Sequence, residues 1–124
     1  MNLLRKMLIV DDDEVNRAIL VTIFHREFQI EAVDSGEAAL QAIGDFKPNI
    51  VMLDIMMPGL NGYEVCAKMR EDPSLAAMKI IMVSARAYEE EQKKGLEAGA
   101  DDYITKPFSV ADIKKVVEKF IAGA

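Results

Sequence analysis

The chain has 124 residues, 51% hydrophobic and 29% charged, with 15 Lys+Arg against 21 Asp+Glu and a formal net charge of −6. That length fits one domain able to bury a core unaided, and a single Cys66 excludes an internal disulfide framework. No run approaches the about 18 apolar residues that span a bilayer, the start from Met1 to Lys6 lacks a signal-peptide pattern, and the acidic balance argues against direct nucleic-acid contact and for a cytoplasmic protein.

Met7 to Val10 is a short, wholly apolar run, as expected of a strand buried on both faces. The next segment has helical period, with Val15, Ala18, Ile19, Thr22 and Ile23 on one face. Ile30 to Val33 reads as a weaker strand, with Glu31 pointing to an edge, and Gly36 to Asp45 as an Ala-rich helix with Ala39, Ala42, Ile43 and Phe46 in register. Ile50 to Leu53 is a third buried strand, stopped by Asp54 and the Pro58-Gly59 turn signal. Tyr63 to Arg70 is predicted as helix, Lys79 to Val83 as strand, Glu89 to Ala98 as a polar helix and Asp102 to Ile104 as a short strand. Ser109 to Ile121 closes the chain as a helix with Val110, Ile113, Val117, Phe120 and Ile121 on one stripe. Five strands and five helices in strict alternation predict a doubly wound α/β fold with a parallel sheet.

In such a sheet, ligands bind beyond the carboxyl ends of the strands. Asp11, Asp12 and Asp13 follow the first strand, Asp54 the third, Ser84 the fourth, and Thr105 and Lys106 the fifth. Were the strand order 2-1-3-4-5, Asp11, Asp12 and Asp54 would converge at the switch point, where their mutual repulsion calls for a cation. A hard divalent ion such as Mg²⁺ suits oxygen ligands, and Lys106 adds a second positive charge, a combination suited to placing a phosphoryl group on Asp54. Any one of these acids taken singly is an ordinary turn or capping residue, and Asp13 is read that way; the joint placement carries the signal.

Leu8 to Asp13, Asp54 with Met57-Pro58-Gly59, Ser84-Ala85 and Gly99 to Phe108 together resemble the receiver domain of two-component response regulators. The resemblance covers about Met7 to Ile121, implies the flavodoxin-like receiver fold with strand order 2-1-3-4-5, and reads residues 1–124 as a single receiver domain. It implies that Asp54 accepts a phosphoryl group from the phosphohistidine of a histidine kinase or phosphotransfer protein. The implied Mg²⁺ ligands are Asp12 directly, Asp11 through an intervening water, Asp54 and the backbone carbonyl of Met56, with Mn²⁺ as a substitute. Ser84 would donate to a phosphoryl oxygen, Lys106 would pair with Asp54 and then with the phosphoryl group, and Tyr103 would be the aromatic switch. The Lys106-Pro107 bond matches one that is cis in the family. The implied output surface is the fourth helix, fifth strand and fifth helix, with Phe108, Lys114, Lys115 and Glu118 as contributors and a homodimer on phosphorylation as one outcome. The resemblance makes the chain a regulatory phosphoacceptor rather than an enzyme, one that promotes its own phosphoryl transfer. Met56 and Arg86, at the mouth of the site, imply slow self-dephosphorylation.

Two other classes fit less well. A haloacid-dehalogenase-like phosphatase needs a second Asp two residues after the nucleophile, where this chain has Met56. A flavodoxin-like cofactor binder needs a phosphate-cradling loop after the first strand, where Asp11 to Asp13 stand instead. His25, the only histidine, is read as a surface residue, Cys66 as packing, Tyr63 and Tyr88 as surface or loop aromatics, Asn61-Gly62 as a turn, and Glu89 to Glu91 as a solvated helix start. No effector segment follows Ala124 in this sequence, so the expectation is a stand-alone receiver or one cut from a longer regulator.

Overall fold

Continuously apolar strands take the middle of the sheet, because only there are both of their faces covered. The computed structural model describes residues 5–85 and 89–121. Among them β1 (Arg5–Val10), β2 (Phe28–Val33), β3 (Ile50–Asp54), β4 (Lys79–Ser84) and β5 (Asp102–Thr105) pair in parallel in the order β2-β1-β3-β4-β5. The connecting helices are α1 (Glu14–Phe24), α2 (Gly36–Phe46), α3 (Gly62–Arg70), α4 (Glu89–Ala98) and α5 (Val110–Ile121). The doubly wound architecture and the strand order are those expected. A 3-10 turn at Pro73–Leu75, started by Asp72 with its side chain on the Ser74 N–H, was not legible in the periodicity.

Alternation along the strands splits the core into two layers. Leu8, Val10, Val51, Leu53, Ile80 and Met82 face α2 and α3, where Ala39, Ile43, Val65, Cys66 and Met69 are buried. Met7, Ile9, Ile50, Met52, Ile81 and Val83 face α1 and α5, where Leu20, Phe24, Ile113 and Val117 are buried. Cys66 is packing, as expected: it is fully buried, with its Sγ 3.5 Å from the Ala98 carbonyl, and burial pushes its thiol up to about 11. Its alkylation in native buffer at pH 8 is expected to run roughly 100-fold slower than in denaturant; equal rates followed by mass spectrometry would contradict that burial.

The apolar face of α1 read from the sequence exists, but it is turned outward. The helix buries Leu20 and Phe24, whereas Val15 is 65% and Ile19 45% exposed, and Ala18 and Thr22 are exposed with them. The inward side begins with Asn16 and Arg17, both half-buried, so its first turn is polar and hides the i, i+4 pair that follows. The outward stripe, with Ile23 and with Val110 from α5, lines an apolar groove. Val110 was expected on the inward stripe of α5 but is 52% exposed.

Two side chains of α3 tie it to the sheet and to α4. Arg70, ending α3, donates to the carbonyls of Gly99 at 2.9 Å, Met78 at 2.7 Å and Leu75 at 3.4 Å, and to Asp101 Oδ2 at 2.7 Å. The same Asp101 oxygen accepts the Ile80 N–H at 2.8 Å, so one side chain knits α3, the start of β4 and the α4–β5 turn. At the other end of α4, Tyr63 donates its hydroxyl to Glu91 Oε2 at 2.5 Å. The only buried residue of α4 is Gly95, where a Cβ would lie 2.7 Å from Met82 Sδ, and Leu96 beside it is 54% exposed.

Candidate functional site

The register of the two central strands brings the acids together. Val10 of β1 stands opposite Leu53 of β3, so Asp11 and Asp54 leave neighbouring strands side by side. Asp11, Asp12 and Asp54 each present a carboxylate oxygen within 4.8 Å of the others. Asp11 is 2% and Asp54 7% exposed, while Asp12 opens to solvent.

Each side chain is held by its local chain. Asp11 Oδ1 accepts the Asp13 N–H at 2.9 Å, and its carbonyl accepts Arg17 Nη1 at 2.8 Å from the first turns of α1. Asp13 caps that helix through the Val15 N–H at 2.8 Å, the role read from sequence. Asp54 Oδ1 accepts the Met56 N–H at 3.4 Å, and the Gly62 N–H closes the following loop on the Ile55 carbonyl at 2.9 Å. A Cβ on Gly62 would stand 2.5 Å from the Asp54 carbonyl oxygen, so only glycine lets α3 begin this close to β3. Asn61 caps α3 in a reciprocal box with Glu64, a structural use of the Asn-Gly turn.

From β5, Lys106 reaches into the same crevice. Its N–H donates to the Ser84 carbonyl at 2.7 Å, and the Lys106-Pro107 peptide is cis. The Lys106 Nζ lies 3.1 Å from Asp11 Oδ2 and 3.9 Å from Asp54 Oδ2, so it bridges two acids and sits nearer Asp11, where sequence reading paired it with Asp54 alone. Ser84 is fully buried at the end of β4, and Tyr103, half-buried on β5, packs its ring against the Gly95 backbone of α4. Burial pushes the Asp54 carboxyl up to about 6; the Lys106 ammonium opposes that rise, Asp11 adds to it, and the Met56 and Ile55 N–H groups oppose it.

Three carboxylates of mixed exposure, two of them buried, form a hard oxygen donor set that fits a divalent cation. Two contacts escaped sequence reading. Arg17 donates to the Asp11 carbonyl six residues back, and Glu37 accepts the Leu60 N–H from 23 residues away; neither follows a period. His25 is exposed at the C-terminal end of α1. Lys114 turns to Glu27 at 3.4 Å, whereas Lys119 pairs with Asp102 of β5 at 2.7 Å. Arg86 and Tyr88 lie outside the described residues.

A parallel α/β domain with three acids and a lysine gathered at its switch point belongs to the doubly wound class that binds ligands beyond the carboxyl ends of its strands. The chain belongs to the response regulator receiver domain family, whose model matches residues 7–118. It is a signalling domain of two-component systems, in a family for which phosphorylation and magnesium are general features. It is similar to the transcriptional regulatory protein CseB of Streptomyces avermitilis, 40% identical over 119 residues, covering 92% of this chain and 49% of that protein. It is 36% identical over 115 residues to the DNA-binding response regulator MtrA of Mycobacterium tuberculosis, covering 91% of this chain and 49% of that one. Among solved structures, the BeF3-activated DrrB receiver domain superposes with a TM-score of 0.88 at 29% identity, covering 96% of this chain and 98% of that chain. The chain spans about half the length of the curated relatives it matches. These relatives are named for transcription and DNA binding, so the domain's acidic balance does not exclude DNA as a target of such proteins. Among the described residues, no helix is long and apolar enough to cross a membrane.

Proposed function

We propose that this domain is a phosphorylatable switch that accepts a phosphoryl group on Asp54 from the phosphohistidine of a histidine kinase or phosphotransfer protein. The observation that carries this reading is the convergence of Asp11, Asp12 and Asp54 within 4.8 Å, with Lys106 reaching two of them. An Asp54 carboxylate oxygen attacks phosphorus, the new P–O bond forms as the P–N bond breaks, and the imidazole nitrogen leaves with the electron pair. Asp11, Asp12, Asp54 and the Met56 carbonyl would hold Mg²⁺, or Mn²⁺ in its place. Bound there, the ion offsets the charge of the acids and of the transferring phosphoryl oxygens. Lys106 neutralises a phosphoryl oxygen from the other side and Ser84 donates its hydroxyl to another.

The product adds about −1.5 to −2 of phosphoryl charge in place of one carboxylate charge. Only contacts made in one state bias a two-state element, and Ser84 and Lys106 supply them here. With Ser84 drawn to the phosphoryl group, Tyr103 turns inward from α4, and the face of α4, β5 and α5 changes its partner binding, including pairing with a second copy. Met56, 52% exposed at the mouth, shields the acyl phosphate and slows its hydrolysis. The outward apolar stripe of α1 beside the crevice supports docking of the phosphodonor protein there.

Incubation with acetyl phosphate is expected to label the protein only with Mg²⁺ or Mn²⁺ present, giving one acid-stable, base-labile phosphoryl group seen by intact mass. Undiminished labelling of Asp54→Asn, or labelling indifferent to chelator, rejects the reading.

A further inference from the structure

The loop that follows Asp54 is gripped from outside by α2. The Leu60 N–H donates to Glu37 Oε1 at 3.0 Å. Gly59, at φ 77, brings its backbone so close to that carboxylate that a Cβ would lie 2.8 Å from Oε1. One residue earlier on α2, a Cβ on Gly36 would collide with the Val65 side chain and lie 3.1 Å from Leu60 Cβ. Glu37 is not the cap of its helix, a role taken by Ser35, which accepts the Ala38 N–H at 3.1 Å. Although exposed, its carboxyl is held below the usual carboxylate range, first by the Leu60 N–H and then by its own. The loop is therefore pinned twice: at its far end by Gly62 on Ile55, and at its outward bend by Glu37.

We infer that Glu37 is a positioning residue for the phosphoacceptor loop, holding the bend at Gly59-Leu60 and with it the segment that carries Asp54 and Met56. The inference rests on the reading of the crevice as a divalent-cation site. A side chain that fixes a ligand-bearing loop lowers the reorganisation needed on binding, and losing such outer partners weakens metal affinity by about 10–100-fold. A glutamine keeps a carbonyl oxygen for the Leu60 N–H, whereas alanine removes the acceptor.

The test compares wild type, Glu37→Ala and Glu37→Gln by following backbone amide NMR signals through a Mg²⁺ titration. The exposed position leaves both variants folded. Glu37→Ala is expected to bind Mg²⁺ about 10-fold more weakly, with faster amide exchange at Met56 to Leu60 in the metal-free protein. Its labelling by acetyl phosphate falls at subsaturating Mg²⁺ and recovers at saturation. Glu37→Gln stays within about threefold of wild type, since the acceptor is retained. Unchanged Mg²⁺ affinity in Glu37→Ala, whatever its melting temperature, overturns the assignment, as does a Glu37→Gln protein as impaired as Glu37→Ala. A wild type that takes up no Mg²⁺ overturns the reading of the crevice itself, a result distinct from either.

Discussion

Asp54→Asn is expected to be more stable than wild type by about 2 kcal/mol at pH 7 in chelator, as well as being refractory to phosphorylation. The Asp54 carboxyl is pushed up to about 6 in the folded chain from an ordinary 3.8, chiefly by burial. Between those values Asp54 binds more proton in the folded state than in the unfolded one, so its contribution to stability falls as pH rises through about 4 to 6. Asparagine keeps the shape and removes the charge that burial penalises. Wild type and variant should therefore melt together below pH 4 and separate above pH 6. Mg²⁺ should narrow the gap at pH 7, because it binds folded wild type and stabilises it by mass action. Denaturant melts across this range check the sign, and a gap that widens on acidification would contradict it.

Arg70→Ala is expected to cost about 3 kcal/mol and to lower the melting temperature by roughly 10 °C. The substitution removes four hydrogen bonds at once and leaves Asp101, only a quarter exposed, without its guanidinium partner. Arg70→Lys keeps the charge but not the planar fork that meets three carbonyls and a carboxylate, so it should recover less than half of the loss. The clasp lies at the start of β4, the end of the sheet opposite the acids, and labelling at 25 °C in saturating Mg²⁺ should be unchanged in both variants. A melting temperature within two degrees of wild type would remove Arg70 from the account of stability.

The central strands and the acids were legible because both signals are local. An all-apolar run of strand length marks burial on both faces, and a carboxylate right after it marks the ligand-binding end of a parallel sheet. That logic predicts the crevice of Asp11, Asp12 and Asp54, and the family resemblance supplies the strand order that joins them. The outward turn of the α1 stripe shows the limit of periodicity. Val15, Ala18, Ile19, Thr22 and Ile23 form the better apolar stripe, yet the core takes Leu20 and Phe24. Polar Asn16 and Arg17 share that inward side, where Arg17 bonds the Asp11 carbonyl, so a local polar contact outweighs the hydrophobic pattern. Arg70 and Glu37 were invisible for a different reason. Each side chain reaches backbone groups remote in sequence, and nothing in the spacing of residues encodes such a reach.

Helix α4 also bears on how the fold comes apart. Its only buried residue is a glycine and its one apolar side chain on the core is the half-buried Ala98, so it covers the sheet with little side-chain volume, and its neighbour Leu96 is 54% exposed. Such a helix is a separate unit of local opening: it can unwind at a fraction of the free energy that holds β1, β3 and their flanking helices. With Tyr63 fastened near one end and Arg70 to the turn beyond the other, that opening is bounded on both sides. The surface it forms can be remade many times without the sheet ever losing its order.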